Sequence, residues 1–401
     1  FDELGLAPEI LRAVSDKGYD NPTAIQIEAI PPILQGRDAI GCAQTGTGKT
    51  AAFTLPILHR FRSGRSPTLR ALVLVPTREL AAQVSQSIRA YGRYVKIRTE
   101  VVFGGVPINP QTAALRSGVD ILVATPGRLL DHMRQGHVRF QQLEVLVIDE
   151  ADRMLDMGFI PDVRTILKSL PARRQTLFFS ATMPDPIQRL ANEILNQPQM
   201  IKVAGQGTPA DGIRQVVYPV DAARKRDLLL HLIEKEKMDH VLVFTRTKHR
   251  ANHLARQLEK CGKRVAALHG NKTQAARTRA LEGFRSGEIQ VLVATNIAAR
   301  GLDVRGISHV VNYEFPEVPE DYVHRVGRTA RAECTGDAIS LMSPPERENL
   351  REIERLIGSK IPQMTMAGFD YRCQPAHQPA PPAPPGNFRP RRRYGYGRGM
   401  R

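Results

Sequence analysis

A chain of 401 residues, 42% of them hydrophobic, provides for two domains with separate cores rather than one. Its formal net charge of +17 points to a polyanionic partner, with nucleic acid ahead of a membrane surface because no strongly apolar helix face accompanies the charge. No apolar stretch nears the roughly 18–20 residues of a membrane span, and Cys42, Cys261, Cys334 and Cys373 are scattered without a C-x-x-C pair, which argues against a disulfide framework or a zinc site and for a reduced, cytoplasmic setting.

Short β-rich runs alternate with helix-like stretches twice along the chain. In the first half the predicted strands are 71–76, 100–103, 120–124, 145–148 and 176–179, with helices at 77–91 and 128–135 among them. Residues 204–212 are rich in Gly, Pro and polar side chains and read as a flexible linker. The pattern then resumes with strands at 240–245, 264–268, 291–295, 309–313 and 337–342, and helices at 248–260 and 274–284. Strands spaced by helices of about 10–15 residues imply βαβ units and parallel sheets. The expected fold is therefore α/β, with tandem parallel-sheet lobes at 1–204 and 214–371 joined by a linker at 205–213. From 372 the composition changes. Residues 374–385 are rich in Pro, Ala and Gln, cannot build a packed core and should form an extended spacer. Residues 387–401 interleave arginines with Phe388, Tyr394 and Tyr396 and contain no acid, a composition suited to phosphate contact and base stacking. The segment 372–401 is expected to be a disordered basic tail.

The chemistry concentrates in the first half. The apolar run 145–148 ends in Asp149-Glu150-Ala151-Asp152. Ionised carboxylates stay out of a core unless paired or metal-bound, and a buried parallel strand delivers its last residues to the crevice where α/β proteins bind ligands. Two adjacent acids there can hold Mg²⁺ and orient a water; the plainer reading is a solvated turn. Upstream, Ala43-Gln44-Thr45-Gly46-Thr47-Gly48-Lys49-Thr50 approximates the phosphate-binding loop G-x-x-x-x-G-K-[ST], with Ala43 at the place of the first glycine. Gly46 and Gly48 permit the close backbone approaches of such a loop, whose N–H groups can cradle phosphate oxygens at the start of a helix. Lys49 supplies a charge for the β and γ phosphates and Thr50 a hydroxyl for Mg²⁺. Loop and acids together make an NTPase site.

With this loop, Asp149-Glu150-Ala151-Asp152 and Ser180-Ala181-Thr182 in order, the chain resembles the DEAD-box RNA helicases over nearly all of residues 1–345. Its outline is most similar to the bacterial RhlE-type members. The resemblance implies two RecA-like lobes, ATP and Mg²⁺ as cofactors, and RNA as partner, single strand or duplex, gripped by its backbone without sequence readout. Residues 18–26 look like the family's Q motif. Gln26 would read the adenine edge, since an amide offers both a donor and an acceptor, and Tyr19 would pack near the ring. Asp149 is then expected to hold Mg²⁺ through water, and Glu150 to orient and deprotonate the attacking water. Asp152, Ser180, Thr182 and His324 would couple the site to its neighbours. Arg328 and Arg331, otherwise readable as a solvated basic face, would reach across the cleft to the γ-phosphate, with Gly301 and Asp303 near the ribose.

The RNA surface implied by the same resemblance comprises Pro76, Thr77, Arg78, Gly105, Thr125, Gly127 and Arg128 in the first lobe. In the second it comprises Thr245, Arg246, Gln274, Arg277, Thr295 and Arg300. Two departures stand out: Asn296 replaces a commoner Asp, and Ala330 replaces the glycine usual between the two arginines. The implied activity is an RNA-stimulated ATPase that closes on single-stranded RNA and opens short duplexes locally or remodels RNA–protein complexes. A monomer in the cytoplasm is expected, without a membrane partner, serving ribonucleoprotein, RNA-decay or ribosome-assembly partners. Two rivals stand beside this reading: an ATP-gated RNA clamp whose hydrolysis times release, and a DNA helicase.

Overall fold

The protein is described by a computed structural model over residues 1–43, 46–64, 66, 68–202, 213–299, 306–329 and 336–371. The first sheet contains β1 (Ala39–Cys42), β2 (Ala71–Leu74), β3 (Thr99–Val102), β4 (Ile121–Ala124), β5 (Val145–Ile148), β6 (Gln175–Ser180) and β7 (Gln199–Lys202). Their spatial order is β3-β4-β2-β5-β6-β1-β7, every neighbouring pair parallel. Strands β1, β2, β4, β5 and β6 are buried along their whole length, as a parallel sheet covered by helices on both faces requires. Successive side chains alternate between those faces: Phe179 joins Phe53 and Phe61 in one core, while Phe178 joins Leu146 and Ile148 in the other.

The second sheet contains β8 (Ile213–Pro219), β9 (Val241–Thr245), β10 (Val265–Leu268), β11 (Val291–Thr295), β12 (His309–Asn312) and β13 (Gly336–Met342). Its order is β10-β11-β9-β12-β13-β8, again parallel throughout. The lobe extends to the last described residues, where Met366, Phe369 and Tyr371 pack against its core and Val217 bonds the chain at Pro362 and Met364. No described helix is long and apolar enough to cross a membrane.

All ten predicted strands are present, and three more, β1, β7 and β8, were not anticipated. Strand β1 is a run of small residues, Ala39-Ile40-Gly41-Cys42, with a physical reason for its glycine: a Cβ on Gly41 would sit 2.4 Å from the Phe179 ring. Of the linker predicted at 205–213, only Ile213 is described, and it opens β8. The predicted tail at 372–401 lies outside the described residues.

Candidate active site

The predicted motifs converge because both sheets are parallel: the phosphate loop follows β1, the acids follow β5, and Ser180 ends β6. Gly46 and Gly48 have φ of 93° and 94°, a region that only glycine enters freely. Gly48 is also hemmed in, since a Cβ there would lie 2.4 Å from Gln26 Nε2. Lys49 opens the helix Lys49–Phe61, is buried, and donates from Nζ to the Ala43 carbonyl at 2.7 Å. That contact uses only the backbone of residue 43, so alanine serves there as well as glycine. Gln26 accepts the Thr23 N–H at Oε1 (3.0 Å) and donates from Nε2 to the Gly48 carbonyl (3.2 Å). The proposed adenine reader thus also fastens the helix Ala24–Leu34 to the phosphate loop. Tyr19 is 42% exposed, its ring 6.5 Å from that of Tyr91. Gln44 and Thr45 lie outside the described residues.

At the end of β5 three acids meet three different environments. Asp149 is 2% exposed and its Oδ1 is buried without a hydrogen-bond partner. Burial pushes its carboxyl up to about 7, with Lys49 opposing and Glu150 reinforcing the shift. An orphaned carboxylate oxygen beside a lysine and the Thr50 helix start fits a hard cation held through oxygen and water. Glu150 sits in the left-handed region at φ 55°, is buried, and forms an ion pair with Arg153. Asp152 is a hub: its Oδ2 accepts the N–H groups of Ala181 (3.1 Å) and Thr182 (2.9 Å) and the Thr182 hydroxyl (3.1 Å). Its own N–H donates to Ser180 Oγ at 3.1 Å. Burial would raise the Asp152 carboxyl, but the charges of His324 and Lys49 and the Thr182 N–H hold it below the ordinary carboxylate range. His324 comes from the second lobe, on the helix Pro319–Val326.

The lobes face each other across a cavity of about 750 Å³ whose lining includes Asp152 and Thr182 from one side and Thr295, Asn296, His324 and Arg325 from the other. Arg328 is buried beside it, with Nε donating to the His324 carbonyl at 3.2 Å. Arg331, Ala330, Arg300, Gly301 and Asp303 lie outside the described residues. The departure at Asn296 has a local explanation. Its Oδ1 accepts from Arg325 Nε at 2.6 Å and its Nδ2 donates to Asp321 Oδ2 at 2.7 Å. Aspartate could accept from Arg325 but would set a second carboxylate against Asp321. Asn296→Asp is expected to destabilise the second lobe by about 1–3 kcal/mol, and Asp321→Ser in the same chain should restore most of it. A double-mutant denaturation cycle checks this, and strictly additive effects would remove the explanation.

Along the predicted RNA surface, Thr77 caps the helix Arg78–Tyr91 through the Leu80 N–H at 3.2 Å. Arg78 lies over Gly105, where a Cβ would be 2.0 Å from its guanidinium, and donates to Gln274 Oε1 of the other lobe at 3.2 Å. Beside it Arg277 grips Glu79 Oε1 through Nε (3.0 Å) and NH2 (2.8 Å), both side chains about a tenth exposed. Arg78, Gln274 and Arg277, expected to touch RNA, are thus also the residues that join the lobes. Thr125 is buried, its N–H donates to the Val102 carbonyl at 3.0 Å, and it precedes the helix Pro126–Arg134, where a Cβ on Gly127 would meet nothing within 4 Å. In the second lobe Thr245 is buried at the end of β9. The Arg246 N–H donates to Glu314 Oε2 at 2.8 Å, and its guanidinium turns toward Glu317 and Glu346.

Behind Arg128 lies a pair of histidines, His132 buried and His137 half-buried, that the motif reading did not single out. Gln111 donates from Nε2 to the Phe103 carbonyl, leaving Oε1 to accept from Arg128 NH1 and His132 Nε2, both at 3.3 Å. His132 Nδ1 then carries a lone pair and receives the Nδ1–H of His137 at 3.2 Å. Arg128 NH2 meanwhile holds the Val106 carbonyl beside Gly105 at 2.9 Å. Burial first, then His137 and Arg128, lower the His132 imidazole below its usual range against Asp131. The folded protein therefore binds fewer protons here than the unfolded chain, so this stabilisation is whole above about pH 6.5 and declines as pH falls below it. His132→Asn is expected to flatten the drop in thermal midpoint between about pH 7.5 and about pH 5.5. An unchanged drop would exclude His132 as its source.

Glu79, Arg153, Asp321 and Arg325 were also missed. Glu79 sits in the run Pro76-Thr77-Arg78-Glu79, but an acid in a first helical turn ordinarily serves the helix dipole, so nothing marked it as a link between lobes.

A phosphate loop and a buried acidic strand end in one parallel-sheet lobe, facing His324, Arg325 and Arg328 of a second, define a two-lobed nucleotide-hydrolysing motor. Residues 23–190 match the DEAD/DEAH box helicase family, and residues 224–333 the helicase conserved C-terminal domain. The chain is 44% identical over 370 residues to the DEAD-box ATP-dependent RNA helicase CshA of Geobacillus kaustophilus, covering 92% of this chain and 79% of that protein. To CshA of Bacillus subtilis it is 42% identical over 378 residues, covering 94% and 76%. These bacterial relatives carry the name CshA rather than RhlE. Among solved structures it is similar to S. cerevisiae Dbp5 bound to RNA and ADP BeF3, with a TM-score of 0.81, 32% identity and coverage of 91% and 95%. A second is Mss116p bound to ssRNA and AMP-PNP, with a TM-score of 0.82, 28% identity and coverage of 91% and 78%. The chain belongs to the DEAD-box ATP-dependent RNA helicases.

Proposed function

We propose that ATP and single-stranded RNA each bind across both lobes, so that either favours the closed arrangement and each strengthens the other. As a DEAD-box ATP-dependent RNA helicase, the protein couples ATP hydrolysis to local opening of short RNA duplexes. The observation that carries the coupling is the pair of cross-lobe contacts, Arg78–Gln274 and Glu79–Arg277, built from the predicted RNA-contact motifs themselves. Closure then sets Arg328 toward the phosphate loop and draws the RNA grip of both lobes onto one strand. Thr50 and, through water, Asp149 would hold Mg²⁺, which when bound offsets charge on the phosphate oxygens. Asp149 Oδ1, buried and unpartnered, supports that assignment. Lys49 positions the phosphates, Gln26 the adenine, and Glu150 the attacking water, whose proton it accepts. The protein acts as a monomer in the cytoplasm, with RNA-processing complexes as its setting.

ATP turnover measured with matched RNA and DNA strands, beside a short-duplex unwinding assay, tests this. Stimulation by RNA with unwinding supports it. Equal stimulation by DNA would make the protein a DNA motor, and RNA-stimulated turnover without unwinding would make it a clamp.

A further inference from the structure

At the end of the first sheet remote from the motifs, around the starts of its central strands β2, β5 and β6, lies a cavity of about 760 Å³. Arg60, Arg70, Arg173 and Arg174 line it against a single carboxylate, Glu144. That carboxylate is already engaged: Arg70 Nε donates to Glu144 Oε1 at 2.6 Å, while its guanidinium lies 3.8 Å from the centroid of the Phe61 ring. The acids nearby are engaged too. Asp38 accepts the N–H groups of Thr176 and Asn196, both at 2.8 Å, and Asp120 those of Ser66 and Arg98, both at 2.7 Å. Among the described residues no carboxylate stands within ion-pair distance of Arg60, Arg173 or Arg174.

The donors are left short of acceptors. Arg174 Nε is buried without a hydrogen-bond partner, its NH1 donating only to the Pro171 carbonyl at 2.7 Å. Arg60 reaches the Ile33 carbonyl at 3.4 Å. Burial lowers the Arg60 guanidinium from its ordinary range, Glu144 opposing and Arg70 adding to the shift, and burial lowers Arg174 against Asp38. Gln175 adds one unpaired acceptor, its Oε1 being buried without a partner while Nε2 holds the Ile33 and Arg37 carbonyls. A solvated basic face spreads its charges over a convex surface, whereas here four guanidiniums and one carboxylate leave three positive charges around one hollow.

We propose that this cavity is a second anion site, taking a compact oligophosphate on the face of the first lobe opposite the ATP site. Guanidinium forks match phosphate oxygens two at a time. The volume falls within the roughly 300–1,000 Å³ of small-molecule sites, while a nucleic-acid strand is tracked by an extended groove. Arg60 stands on the last turn of the helix Lys49–Phe61, whose first turn carries Lys49.

The test is equilibrium dialysis of the full chain against inorganic tripolyphosphate, with excess AMP-PNP filling the catalytic site. The expected result is one further equivalent of tripolyphosphate, its affinity about tenfold weaker or less in an Arg60→Gln, Arg174→Gln double variant. Arg173→Glu, on an exposed side chain, should weaken it similarly with an unchanged thermal midpoint, which separates lost binding from lost folding. No binding in the presence of AMP-PNP would overturn the proposal, as would binding indifferent to all three substitutions, an adventitious ion only. Displacement of the tripolyphosphate by a short RNA would assign the cavity to nucleic acid, and tighter binding of a poly-glutamate peptide would assign it to a protein partner. Either result would also overturn it.

Discussion

Replacement of Arg328 by Ala is expected to cut RNA-stimulated ATP turnover by about 10³-fold or more, while ATP affinity measured without RNA, when the first lobe alone holds the nucleotide, changes by no more than about twofold. The asymmetry follows from where the groups stand. Lys49, Gln26 and the phosphate loop all belong to the first lobe, whereas Arg328 is buried in the second and oriented by the His324 carbonyl. A cation brought to the γ-phosphate by closure stabilises charge that develops in the transition state, so its loss appears in turnover rather than in ground-state binding. Arg328→Lys keeps the charge but not the planar fork and should recover only part of the rate. Steady-state turnover with RNA, set beside titration of a fluorescent nucleotide, checks both halves. An equal loss of ATP affinity would show that Arg328 serves the first lobe's integrity instead.

Glu150→Gln is expected to lower turnover by about 10²–10⁴-fold and to slow release of RNA from the ATP-bound complex. The amide preserves shape and hydrogen bonding but cannot take a proton at neutral pH. The glutamate is held rigidly: it is buried, paired to Arg153, and placed at φ 55°, a conformation costing a non-glycine residue about 1–2 kcal/mol. Such a backbone persists where the surrounding structure fixes a side chain's direction. Loss of its charge leaves Arg153 buried without its carboxylate, so a lower thermal midpoint should accompany the kinetic loss. Turnover at the native rate would end the assignment of Glu150 as the base.

Much of the nucleotide site was legible in the amino-acid sequence because its groups are contiguous. Gly46, Gly48, Lys49 and Thr50 occupy one turn, and Asp149, Glu150 and Asp152 one strand end, so spacing alone conveys the chemistry. Contacts between distant residues were not legible. Asn296 looked like a departure until Asp321 and Arg325, 25 and 29 positions away, were placed around it. Glu79 and Arg277 are separated by 198 positions and meet only through the arrangement of two lobes. Strand β1 escaped notice because its apolar signal is diluted by Gly41, which makes room for Phe179 on the neighbouring strand. Periodicity records which residues are buried, not which partner buries them.

Glu79 and Arg277 meet across the two lobes. Two nitrogens of one guanidinium converge on a single carboxylate oxygen, and the neighbouring Arg78–Gln274 bond adds a second point of contact, so that together they limit rotation of one lobe on the other. When the lobes part, both groups regain water, and the attraction lost is largely offset by hydration recovered. The contact therefore acts less as a clasp than as an index pin. It admits one angular setting of the lobes, yet withdraws without a deep well to climb from, as an enzyme that must separate after every turnover requires.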